Sequence, residues 1–152
     1  MATTVFLVER GLSTRLNAGL AVVRVVTGIV FLAHGWQKVF TYGFAGVTGS
    51  FTQMGVPVPG LTAPLVSLLE LLGGIALIVG LLTRLAALGL AINMLGAILL
   101  VHLSAGFFLP NGYEFAFTLM AICIAIMLMG PGEYSIDAGI SGRRPLASTA
   151  TY

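Results

Sequence analysis

Charge is what this sequence has least of. Its 152 residues hold five acids and seven lysines and arginines, so only 8% are charged, against roughly a quarter in a soluble domain. Cysteine is scarcer still, with Cys123 the only one. An intramolecular disulfide and a CxxC redox pair are excluded, and with them thiol–disulfide exchange within one chain. The two histidines, His34 and His102, belong to no HxxxH or ExxH pair. A metal site would have to draw on His34, His102, Glu70 and Glu114, and snorkelling or hydrogen-bonded histidines are the preferred reading. No metal is expected. The basic residues are too few and too scattered for a nucleic-acid footprint, so no nucleic-acid partner is expected either.

What the chain has is apolar surface. Hydrophobic residues make up 58% and the mean hydropathy is +1.05. A water-soluble globule of this size could not hide that much in one core. The composition excludes an ordinary soluble enzyme and a disordered tail, and defines an all-α integral membrane protein. One domain accounts for residues 1–138, followed by a polar C-terminal tail, 139–152.

Crossing a bilayer takes about 20 apolar residues. Four segments qualify, at about 16–40, 64–82, 85–104 and 113–129. The first carries Arg24 and lacks a small-x-small cleavage pattern, so it reads as a retained span rather than a signal peptide. A tight turn at Thr83-Arg84 makes the second and third spans a hairpin. Pro110-Asn111-Gly112 marks the turn between the third and fourth. The longest connection, 41–63, contains Pro57-Val58-Pro59-Gly60, which breaks regular helix. Within it, Phe44, Val47, Phe51 and Met54 recur at helical spacing and predict a short interfacial helix. A second interfacial helix is a candidate for residues 5–16, and the tail from 139 reads as loose.

Arg10, Arg15, Arg84, Arg143 and Arg144 fall on one side of this four-span bundle, and Lys38 falls on the other. The positive-inside rule then puts both termini in the cytoplasm. The 41–63 and 105–112 connections face outward.

Polar groups inside hydrocarbon need a partner or a function. The candidates within the spans are Arg24, His34, Lys38, Glu70, Asn93, His102 and Glu114, with Gln37 beside them, and Asn111 stands in the outer turn. At about 1.5 Å per residue, Arg24 lies roughly 10 Å and His34 roughly 25 Å from the cytoplasmic side. Glu70 lies about 20 Å, Asn93 about 14 Å and His102 about 27 Å from it. His34, Lys38, Glu70, His102 and Glu114 therefore share the outer half. Arg24, Thr27, Phe31, His34 and Lys38 fall within an arc of roughly 80° on the first span, which predicts an inward-facing stripe. Glu70 is the natural counter-charge. Either Arg24 reaches up to it, or His34 and Lys38 reach down.

Two readings follow. In one, an Arg24–Glu70 pair fixes helix register and is purely structural. In the other, the polar groups line a pocket for a small amphipathic ligand such as a quinone, whose carbonyls need hydrogen-bond donors and whose tail needs an apolar slot. Glycines 28 and 35, 73, 74 and 80, and 89 and 96 give small faces for close helix packing or for partner subunits. Cys123 reads as a buried, inert thiol. Trp36 and Tyr42 fit an outer aromatic belt.

Several blocks in order resemble the DoxX family of small four-span membrane proteins. They are RVVTGIVFLAHGWQK from Arg24 to Lys38, FTQMGVPVP from Phe51 to Pro59, and ELLGGIALIVGLLTRLA from Glu70 to Ala86. Asn111-Gly112-Tyr113-Glu114, Gly130-Pro131-Gly132 and the Ser135/Asp137 pair complete the set. The resemblance implies a four-helix membrane bundle with Arg24, His34, Lys38, Glu70, Asn111 and Glu114 as its polar signature. It also implies association with terminal quinol oxidases, thiosulfate:quinone oxidoreductases or oxidative-stress proteins. The cysteine pair that some related membrane proteins use for dithiol chemistry is absent here.

The expected function is a small membrane subunit that packs against and anchors the larger subunits of a redox or energy-converting complex. It holds no cofactor of its own, and its partners are lipid and other membrane subunits. The alternative is a quinone-binding, oxidoreductase-type protein with its pocket in the outer half of the bundle. A transporter or channel ranks below both, because no inverted repeat or discontinuous helix pair is evident.

Overall fold

The computed structural model describes residues 2–142, with side chains described for residues 11–142. Arg143 and Arg144 and the rest of the tail lie outside the described residues. The described chain is helical, without strands. Helix α1 runs from Ala2 to Trp36 and α2 from Gly43 to Gln53, joined by a π-helical turn over Gln37–Tyr42. Helix α3 covers Pro59–Val79 and α4 covers Thr83–Ala97, the latter prolonged by a π-helical turn at Ile98–His102 and a 3-10 turn at Leu103–Ala105. Helix α5 is Glu114–Met129 and α6 is Ile136–Ile140.

Three helical stretches, Gly11–Gln53, Pro59–Val79 and Thr83–Ala105, are long and apolar enough to cross a membrane. The fourth apolar helix, α5, has 16 residues, a length of about 24 Å against a hydrocarbon core of about 30 Å. It is shorter than a full span. The outward faces are leucine, valine and phenylalanine, with Val22, Leu72, Leu85 and Ile92 all more than half exposed. That surface is stable only against lipid.

The 5–16 segment is not a separate interfacial helix, because α1 runs through it unbroken. The predicted 41–63 surface helix exists as α2, but it packs on α3 and buries Val47. Gly43, at φ +68°, redirects the chain into it. Pro59 and Gly60 open α3 rather than interrupt it, since proline is well placed in a helix's first turn. The hairpin turn lies at Gly80–Leu82, and Thr83-Arg84 already belong to α4. In the predicted tail, Gly139 and Ile140 close α6.

Glycine decides how α1 meets α3. A Cβ on Gly35 would stand 2.3 Å from the Leu71 amide nitrogen, and one on Gly74 would stand 2.5 Å from that of Leu32. The two backbones touch, so no larger residue fits. Helix α4 packs chiefly on α5 and on α3. Phe31, Leu77, Leu90, Cys123 and Ile126 fill the centre, each at most 1% exposed.

After α5 the chain folds back as a strap, residues 130–138, across one end of the bundle. Asn17 Oδ1 accepts from the Glu133 amide at 3.2 Å. The Arg24 guanidinium donates to the carbonyls of Pro131 and Tyr134. The Asp137 amide donates to the Gly80 carbonyl at 2.9 Å. In return, the Asp137 carboxylate accepts from the amides of Leu82 and Thr83, each at 2.9 Å. These bonds hold Leu82 in the left-handed conformation at φ +49°, unfavourable for a leucine, and cap α4. Burial alone would raise the Asp137 carboxyl. The amides of Thr83 and Leu82, with the charge of Arg24, outweigh that and hold it below the ordinary carboxylate range.

Candidate functional site

Glu70 sits near the middle of α3 with 3% of its surface exposed. A carboxylate there needs partners from neighbouring elements. Lys38, on the π-helical turn after α1, supplies an ion pair to Oε2. Asn93, on α4, donates from Nδ2 to Oε1 at 3.0 Å. One acid thus ties three elements together.

The cluster faces a cavity of about 490 Å³ between α2, α3 and α4. Lys38, Glu70, Asn93 and His102 contribute the polar part of its wall. The remainder is mostly apolar, including Phe51 and Met54 from the end of α2 and Leu69 from α3. Leu65, Ile92 and Leu100 also line it and are each at least half exposed. The cavity therefore opens sideways on the outer surface of the bundle. Its size falls within the roughly 300–1,000 Å³ usual for small-molecule sites. Gly96 lies in the wall with nothing within 4 Å of where its Cβ would be.

Of the eight candidate residues, the structure brings four to this cavity and places four elsewhere. Arg24 is 2% exposed but serves the strap, so Glu70 pairs with Lys38 and not with Arg24. His34 is exposed, its ring 6.2 Å from that of Phe115 on α5. The polar stripe on α1 therefore holds for Arg24, Thr27 and Phe31 and fails at His34. The contact face is centred on Gly28 and Gly35, which leaves His34 at its edge. Asn111 contributes its backbone carbonyl, 3.0 Å from His102 Nδ1. Glu114 accepts from the Leu109 amide at 2.9 Å and folds the 103–113 loop. Among the described residues, no three histidine, cysteine or acidic side chains gather as a metal site.

Phe51, Met54 and Gly96 were not among the sequence candidates for the site. The helical spacing of Phe44, Val47, Phe51 and Met54 held the signal for the first two. The π-helical turns could not be seen in the pattern, yet both carry a cavity residue, Lys38 on one and His102 on the other. Such turns are frequent at functional sites.

A bundle of three spans and a shorter fourth apolar helix, with a half-buried ion pair beside a laterally open cavity, defines a small polytopic membrane protein with room for an amphipathic molecule. The chain belongs to the DoxX family, whose model matches residues 19–103. It is 35% identical over 132 residues to a Mycobacterium tuberculosis protein named "Uncharacterized membrane protein Rv3486", covering 80% of each chain. It is 32% identical over 120 residues to the Bacillus subtilis "Putative oxidoreductase CatD", covering 78% of this chain and 84% of that one. It is also 35% identical over 127 residues to the Escherichia coli "Inner membrane protein YqjF", covering 80% and 91%. No solved structure matches the chain.

Proposed function

We propose that the protein binds a quinone-class ligand in the cavity beside Glu70, as part of redox chemistry in a bacterial inner membrane. The observation that carries this reading is the cavity itself. It combines apolar walls, a mouth on the lipid-facing surface and a polar end built by Lys38, Glu70 and Asn93. A head group finds hydrogen bonds at the polar end, and an isoprenoid tail leaves through the mouth. The relative named as an oxidoreductase and the relative named as an inner membrane protein agree with this reading. Arg15 and Arg84 lie at the strap end of the bundle, which favours that end, with both termini, as the cytoplasmic one.

Gly96→Leu tests the site without touching the ion pair. The new side chain enters open space, so the protein folds and the cavity is filled. Titration of purified protein in detergent with decylubiquinone is expected to show at least about tenfold weaker binding, equivalent to ~1.4 kcal/mol. Glu70→Gln is expected to weaken binding similarly, because hydrogen bonds to charged groups contribute about 1.5–3 kcal/mol. Unchanged affinity in both variants would overturn the assignment.

A second role, as a membrane subunit of a larger redox complex, is favoured by α5. Its length of about 24 Å leaves it short of the hydrocarbon core, and an adjoining membrane protein would cover the shortfall. Mass spectrometry of material purified in mild detergent tests it. Stoichiometric larger subunits are expected, and a partner-free protein would sink this role.

A further inference from the structure

The hydrogen bonds around the cavity carry a direction, and the direction bears on which ligand fits; the inference rests on the ligand reading above. His102 lines the cavity, with Nδ1 3.0 Å from the Asn111 carbonyl oxygen. A carbonyl only accepts, so in this bond Nδ1 carries the proton. In the neutral ring, Nε2 is then an acceptor. No partner for Nε2 occurs among the described residues.

Asn93 follows the same logic. Glu70 Oε1 takes its hydrogen bond from Nδ2, because an ionised carboxylate only accepts. The Asn93 Oδ1 atom is left as an acceptor, again without a partner among the described residues. Two residues that each keep an acceptor without a partner among the described residues thus line the same cavity. Residues nine apart on a regular α-helix face about 180° away from each other. The π-helical turn at Ile98–His102 slows the rotation and lets both residues reach one wall.

We propose that Asn93 and His102 make this cavity selective for a lipophilic ligand with hydroxyl donors at both ends of its head group, the hydroquinone rather than the quinone. One hydroxyl donates to Asn93 Oδ1 or to the Glu70 carboxylate, and the other donates to His102 Nε2. Lys38 keeps donors free at the first end, so a quinone carbonyl could be met there. At the His102 end a quinone carbonyl faces a lone pair and gains nothing. A site that leaves a polar group unpaired with the wrong ligand discriminates strongly.

The test has two readouts. In ¹⁵N-histidine-labelled protein in micelles, His34→Asn leaves His102 as the only histidine. NMR is expected to show a protonated Nδ1 and an unprotonated Nε2, and the opposite tautomer or an imidazolium at neutral pH would overturn the proposal. Anaerobic titrations then compare decylubiquinol with decylubiquinone. The quinol is expected to bind at least tenfold more tightly, and His102→Phe to reduce that preference to about twofold or less. Equal affinity for the two forms, or tighter quinone binding, overturns the selectivity while the ligand reading stands. Absence of binding by either form removes both. If His102→Phe fails to fold, the tautomer and the wild-type preference still decide.

Discussion

Single glycines divide sharply into those that are needed and those that are free. Gly35 and Gly74 lie where α1 and α3 touch backbone to backbone, and a methyl group on either has no room. Gly35→Ala and Gly74→Ala are each expected to destabilise the protein by about 1–3 kcal/mol through overpacking. Gly96→Ala enters open space on a helix and is expected to be neutral or to stabilise by up to about 1 kcal/mol. Thermal unfolding in detergent, followed by circular dichroism, separates the two outcomes. A matching loss in all three variants would show that the α1–α3 contact is not what sets the glycine requirement. The sequence marked these residues as a small-residue face but not which of them abut backbone. The identity of Glu70's partner was likewise hidden. Arg24 and Lys38 fall on one arc of the first predicted span, and what separates their roles is the strap, more than a hundred residues downstream of Arg24.

At the level of elements, the caps and turns do what the apolar pattern cannot. Four apolar segments announce themselves by hydropathy, because every lipid-facing position must be apolar. The π-helical turns leave no trace in a periodicity read at 100° per residue. The α4 cap is equally nonlocal, since its acid comes from Asp137 at the far end of the chain. The Asp137 carboxyl is held below the ordinary range in the folded protein, so its ionised form favours folding. That contribution is present above the unfolded value, about 3.9, and is lost as pH falls through the lower, folded value. Wild type is therefore expected to lose stability relative to Asp137→Asn as pH drops below about 4. Melting temperatures across that window check this. A gap between the two proteins that stays constant would refute the cap's role.

For the whole molecule, the sorting of charge gives the topology to test. With Cys123 replaced by alanine, single cysteines placed at Arg84 and at Asn111 should react from opposite sides of the membrane. The cysteine at position 111 is expected to be labelled by an impermeant maleimide in intact cells, and the one at position 84 only after permeabilisation. Labelling of both from outside would break the four-helix arrangement, and labelling of position 84 alone would reverse its orientation. The four apolar helices and their order were legible from composition and spacing. The length of α5 was legible too, since the fourth segment at about 113–129 matches Glu114–Met129; the closure of one end by the strap was not, because it depends on where the chain returns after Met129.

That closure has a consequence for how the protein is made. Arg24 belongs to α1, while the carbonyls it binds belong to Pro131 and Tyr134, made more than a hundred residues later. At about 5–20 residues per second, the guanidinium enters the bilayer several seconds before its acceptors exist. An arginine at a helix centre costs about 2.5–3.5 kcal/mol on the insertion scale, an upper limit for Arg24 near the strap end, so the nascent α1 needs water, lipid phosphate or an insertase beside that guanidinium. A chain ending before Pro131 would never be relieved of that need, and the membrane's quality-control proteases would meet it as an unfinished protein.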